Sequence, residues 1–283
     1  MTAGERHALL DELTEKGLSK RAACRYAGYS RAVSRYDLRG PAPEGKDLEA
    51  MRQATRDNPR YGYRRIAIVC QLGMGRTWRL WQREKFQLAA QRPRKRRKKG
   101  DQPNRPHQAE YPNHVWTYDL LFDRLANGRL FKTLSLLDEF TRECLAILVA
   151  PSILSQDVKG VLAEVMGVRG TPAFIRSDNG SEFTAQAVQG WLEEKQVGPA
   201  FIPPGQPWKN GFIESFHDKF RDECLAREWF QSLLEAQTVI ETWRMHYNTQ
   251  RPHSSLDYQT PMAFATEFQL QAEATLIQNG HKN

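Results

Sequence analysis

Residues 173–183 read AFIRSDNGSEF, and the fold turns on what the acid in the middle is for. Ala173, Phe174 and Ile175 are a short apolar run of the kind that forms a buried strand. The run passes through Ser177 into Asp178, Asn179 and Gly180, with Glu182 just beyond. Asp-Asn-Gly is good turn chemistry by itself. The other reading is that Asp178 holds a ligand where a core strand meets solvent. Carboxylates elsewhere in the chain decide between the two.

Upstream, HVWTYDLLF (114–122), LFKTLSLLDEF (130–140) and ECLAILVA (143–150) read as three strands, with Asn127-Gly128 as a hairpin signal between the first two. Asp119 lies inside the first. An acid within a core strand is costly unless it is paired or holds a metal. A helix is expected over 155–166, from the spacing of Val158, Val161, Leu162 and Val165. After the opening strand come a helix over 184–195, a short strand PAFIP (199–203), a loop, and two helices over 210–224 and 232–247. Three antiparallel strands followed by alternating helix and strand predict an α/β core with a mixed sheet. Glu214 lies early in the helix over 210–224, and 35 residues separate it from Asp178.

Asp119, Asp178 and Glu214, two on strands and one on a helix, suit hard cations such as Mg²⁺ or Mn²⁺. A pair of such ions clamps a phosphodiester, one activating the attacking oxygen and the other stabilising the leaving one. Any one of these acids alone reads better as structural; the three in this order read as a site.

Over 283 residues the formal charge is +8 and the pI about 9.4, which favours a polyanionic partner. The four cysteines include no CxxC pair, so a structural zinc site has no support, and they are expected as buried thiols in a reducing compartment. The N-terminal MTAGERHALLDELTEK has no apolar signal core, and no apolar run has membrane-spanning length. A cytoplasmic, nucleoid-associated protein is expected.

Residues 1–40 carry helix-turn-helix grammar. Ser19 is placed to cap a helix with Ala22, Ala23 and Tyr26, Gly28 makes the turn, and Ser30 caps a basic second helix bearing Arg31 and Arg35. The bland alternative is a surface helical hairpin. Helical sequence follows over 47–88. Then RPRKRRKK (92–99), with Arg94, Lys95, Arg96 and Arg97 at its centre, reads as a solvated arm along phosphates, or as a linker that only solubilises.

These motifs together resemble a DDE transposase with a retroviral-integrase-type core, specifically the OrfB product of bacterial insertion sequences with two overlapping frames. SDNGSEF, PGQPWKNGFIESFHDKFRDECL, YNTQRPHSSLDYQTP (247–261) and RYGYRRI carry the resemblance, which covers nearly the whole chain. It implies a ribonuclease-H-like five-stranded mixed sheet with flanking helices, behind an all-α helix-turn-helix region. It assigns Asp119, Asp178 and Glu214 to the metal triad, with two Mg²⁺ or Mn²⁺ ions expected. Arg221 matches a basic residue that contacts DNA near the reactive end, with Lys219 nearby.

The implied organisation is a helix-turn-helix over 1–40, a helical DNA-binding region and basic linker over 41–105, the catalytic core over 106–265, and a tail. Implied partners are inverted-repeat ends and target DNA, further protomers, and an OrfA product or frameshift fusion. The segment AIVCQLGMGRTW (67–78) is several residues shorter than the family pattern.

Trp208 and Lys209, in a loop punctuated by Gly205, Pro207 and Gly211, suit a flap over DNA. Asp123, on the turn after the first strand, and Asp138, at the end of the second, are expected at the surface and in a structural role respectively. His253 is expected to pack or hydrogen-bond rather than bind metal. Besides a transposase, two readings stay open: a catalytically idle DNA-binding regulator or relic, and a nuclease that never joins strands.

Overall fold

The structure, a computed structural model, describes residues 3–28, 30, 44–86, 108–177, 186–200 and 211–280. Arg31, Arg35, Arg94, Lys95, Arg96, Arg97, Asp178, Trp208 and Lys209 lie outside the described residues, as does the second helix of the expected helix-turn-helix. The chain divides into two units, 1–52 and 53–283.

In the first unit, α1 (Ala3–Glu15) and α2 (Lys20–Tyr26) pack through Leu10, Ala23 and Cys24. The Ser19 hydroxyl accepts from Ala22 N at 3.3 Å, capping α2 as its sequence predicts. Tyr26 is 81% exposed, and Cys24 is buried, as expected of the thiols. One helix, α3 (Glu44–Asp57), spans the division between the units.

The helical stretch expected over 47–88 is α3, α4 (Tyr63–Val69) and α5 (Met74–Arg83). Pro59 and Gly62 fall in the first break and Gly73 in the second. The short segment still closes a helix pair. Ile66, Ala67, Thr77, Leu80 and Trp81 are buried, and Tyr63 and Trp78 meet at 4.7 Å between ring centroids. Cys70 is only half-buried, unlike the other three cysteines.

The second unit is built on a sheet of β1 (Val115–Arg124), β2 (Leu130–Asp138), β3 (Cys144–Ala150), β4 (Phe174–Arg176) and β5 (Gly198–Pro199), in the order β3-β2-β1-β4-β5. The β1–β2 and β2–β3 pairs are antiparallel, and the β1–β4 and β4–β5 pairs parallel. This is the expected mixed five-stranded sheet. Strand β1 runs two residues past Phe122, so Asp123 sits in the strand rather than on the turn. Of PAFIP, only the start is described, and β5 is Gly198–Pro199. A Cβ at Gly198 would lie 2.6 Å from the Phe174 ring, so glycine lets β5 close on β4.

Strand alternation sends side chains to two layers. Trp116, Tyr118, Leu134, Leu136 and Ile175 pack with Val158 and Leu162 of α6 (Ser155–Arg169) and Val188 and Leu192 of α7 (Gln186–Glu194). Leu121, Phe131 and Leu137 turn the other way, onto α8 (Gly211–Glu223) and α9 (Leu233–Thr249). Helix α10 (Pro261–Gly280) follows. Ser232 and Glu235 start α9 as a reciprocal cap, Ser232 Oγ accepting from Glu235 N and Glu235 Oε2 from Gln231 N.

Aromatic contacts lock α8 on α9: Phe216 to Tyr247 at 5.0 Å and Phe220 to Trp243 at 4.9 Å. Asn248 then ties α9 to β3, its amide exchanging two 2.9 Å hydrogen bonds with the backbone of Cys144. The sheet and α8 are thereby held in one position relative to each other.

Candidate active site

Asp119 shares its strand face with Thr117 and Leu121, toward α8, and lies opposite Ser135 of β2. Its Oδ1 accepts from Leu120 N at 2.8 Å, which fixes the carboxylate against its own strand. Its Oδ2 stands 3.5 Å from His217 Nδ1 of α8, and the side chain keeps 24% of its surface exposed. Glu214 lies three residues before His217, on the adjacent turn, and is exposed in the first turn of α8. The structure therefore brings the α8 turn carrying Glu214 against the strand carrying Asp119.

His217 escaped the sequence reading, although Glu-x-x-His on a helix is a legible signal for two side chains on one face. The imidazole is buried, and its Nε2 has no hydrogen-bond partner. Burial, with Arg221 adding, pushes it down to about 4.

Of the other candidates, Arg221 is exposed, seven residues on from Glu214 and so on the same stripe of α8. Lys219 is half-buried on a different flank, with Nζ donating to the Ser215 carbonyl and hydroxyl, both at 2.6 Å. Asp138 is structural: it accepts from the backbone N–H groups of Asn113, Phe140 and Thr141 at 2.6, 2.7 and 3.1 Å. His253 is buried beside Tyr247, ring centroids 4.6 Å apart. Arg176, two positions before Asp178 in the sequence, pairs with Glu139 at 2.7 Å, both side chains 1% exposed. Among the described residues no group of three or more His, Cys, Asp or Glu is placed to hold a metal ion.

The integrase core domain family matches this part of the chain twice, over residues 109–207 and 195–261. The chain is 39% identical over 263 residues to an uncharacterized 31.7 kDa protein of insertion element IS407 from Burkholderia multivorans. That match covers 91% of this chain and 94% of the relative. It is 37% identical over 273 residues to a 39.2 kDa protein of insertion element IS476 from Xanthomonas euvesicatoria, covering 94% and 78%.

The chain belongs to the insertion-sequence transposases with an integrase-like core.

The transposase for insertion sequence IS904 of Lactococcus lactis is a more distant relative, 26% identical over 164 residues, covering 57% of this chain and 64% of that one. Membership implies polynucleotidyl transferase activity, and it disfavours the idle regulator. The transposase has no helix, among its described residues, long and apolar enough to cross a membrane.

Proposed function

We propose that this transposase cleaves the ends of its element and joins the freed 3′-hydroxyl to a second phosphodiester, at a site formed by Asp119, Asp178 and Glu214. One observation carries the reading: Asp119, on a central strand, stands 3.5 Å from His217, one turn along the helix from a second acid, Glu214. The β1–β4 ladder is described as far as Thr117 opposite Arg176, two residues before Asp119 along β1 and two positions before Asp178 in the sequence. The 39% identity along almost the whole chain supports it further.

The donors are carboxylate oxygens, a set that fits hard divalent cations, Mg²⁺ or Mn²⁺, and two ions suit the chemistry. When bound, such ions lower the pKa of a coordinated water or hydroxyl and stabilise charge on the leaving oxygen. The chain does the rest. The Leu120 N–H orients the Asp119 carboxylate, and His217 backs it with a neutral, buried ring that keeps water from that side. Glu214, in the first turn of α8, completes the ligand set. Arg221 lies on the Glu214 stripe, where a guanidinium pairs with DNA phosphates. Lys219, Trp208, Lys209, Arg31, Arg35, Arg94, Lys95, Arg96 and Arg97 extend the DNA contacts. The partners are double-stranded inverted-repeat ends and target DNA, at least one further protomer for synapsis, and an OrfA product or fusion.

The test replaces Asp178 by Asn and compares Mg²⁺-dependent nicking of end-containing DNA with DNA binding. Cleavage is lost and binding is kept. Nicking that survives the change overturns the assignment, and loss of both activities assigns Asp178 to folding instead.

A further inference from the structure

On the flank of α8 away from Glu214 lies a cavity of about 290 Å³ with a cationic wall. Arg65 reaches it from α4, Arg142 from the β2–β3 turn, Lys219 from α8, and Arg251 and His253 from the segment after α9. Asp138 is the acid on the wall, and its oxygens are already engaged by three backbone N–H groups. Glu223, behind the wall, pairs with Arg251 through Nε at 2.6 Å and Nη2 at 2.5 Å. That leaves Nη1 of Arg251, a side chain only 1% exposed, with no hydrogen-bond partner.

Buried donors are rarely left unsatisfied, and each one costs stability until something fills it. We infer that this cavity is a binding site for a phosphate group, held by Arg251 Nη1, Lys219 Nζ and the Arg65 guanidinium.

The geometry suits an oxyanion. Arg65 is anchored by its Nε on the Pro252 carbonyl at 3.1 Å, so its terminal nitrogens remain for a ligand. Ser215, Ser254 and Ser255 add hydroxyls to the lining. The electrostatics agree: burial, with Arg251 adding, lowers both Lys219, to about 8, and Arg65. These are cations short of negative charge, and a phosphate supplies it. The phosphate comes either from a DNA backbone or from solution. The DNA source rests on the proposed function; the free anion does not.

The test follows thermal unfolding of the full chain in inorganic phosphate and in chloride at equal ionic strength and pH. Unsubstituted protein is compared with Lys219→Gln and Arg65→Gln, and each variant's Tm in chloride reports whether it has folded. The expected result is a Tm that rises with the logarithm of phosphate concentration above its Kd, with phosphate affinity weakened about tenfold in each folded variant, as for one lost charge-assisted hydrogen bond. No phosphate-specific rise, or a rise both variants keep in full, overturns it.

Binding to a random-sequence duplex then separates the sources. A slope of log K against log salt that falls by about 1 in Lys219→Gln assigns the site to a DNA phosphate, and an unchanged slope assigns it to the free anion. Metal-dependent nicking is scored separately. A chain that fails to nick yet shows Lys219-dependent phosphate protection sinks the proposed function and leaves this inference standing.

Discussion

Replacing Glu139 by Ala tests how the ends of β2 and β4, on either side of β1, are held together. Glu139 Oε1 accepts from Arg176 Nε at 2.7 Å, and both side chains are 1% exposed. The pair joins the turn after β2 to the last residue of β4, and Glu139 N also donates to Val115 O of β1 at 3.0 Å. Truncating the carboxylate takes this bond away from a guanidinium that is buried from water. Breaking a buried pair in this way costs about 3–5 kcal/mol. In a unit of this size that lowers Tm by about 6–20 °C. Urea unfolding reads it as a lower midpoint at unchanged slope. The double change Glu139→Met with Arg176→Met leaves no stranded charge and recovers most of the loss. A single substitution that costs under about 1 kcal/mol, as an exposed pair would, refutes the argument, as does a double variant weaker than the single one.

Asn248→Ala leaves the buried Cys144 N–H without its acceptor, while Cys144 O keeps its 2.9 Å bond from Arg244 Nη1, and costs about 1–3 kcal/mol in the same urea experiment. Acid also weakens the fold through His253, whose imidazole is pushed down to about 2 by burial, with Arg251, Lys219 and Arg65 adding. The unfolded chain takes up this proton near pH 6.5 and the folded chain only near 2, so the contribution is complete above 6.5 and is lost as pH falls through that window. The stability gap between the unsubstituted chain and His253→Gln therefore shrinks by up to about 1.4 kcal/mol per pH unit below 6.5, and parallel curves contradict it.

The core strands were legible because each alternates. Trp116 and Tyr118 face one layer and Leu121 the other, and this periodicity is written in the sequence. The Asn127-Gly128 turn was legible for the same local reason: Gly128 has φ 82° and its N–H closes on Leu125 O at 2.8 Å. Strand ends were less so, since Asp123 pairs with Phe131 as readily as an apolar residue would. Helix breaks at Pro59–Gly62 and Gly73 were written in the residues, but a long polar-apolar pattern masked them.

At the site, Asp119 was marked as an acid inside a core strand and Glu214 by its place early in a helix 35 residues after Asp178, whereas His217 was passed over because it stands among the apolar residues Phe216 and Phe220 that pack this helix. The cationic cavity was not legible at all. Arg65 and Arg251 are 186 positions apart, and only the docking of α4 beside α8, helped by the Arg60–Asp222 pair at 2.5 Å, brings them together.

The account stands or falls on three acids sharing bound metal, and metal-directed cleavage of the polypeptide reads that most directly. Fe²⁺ loaded in place of Mg²⁺ and supplied with hydrogen peroxide and ascorbate reduces the peroxide to hydroxyl radicals where it binds, and the cut positions are mapped by mass spectrometry. Clustered cuts beside residues 119, 178 and 214, suppressed together by excess Mg²⁺, are the predicted result. Cuts beside only one of the three, or scattered cuts that Mg²⁺ leaves unchanged, contradict the shared site.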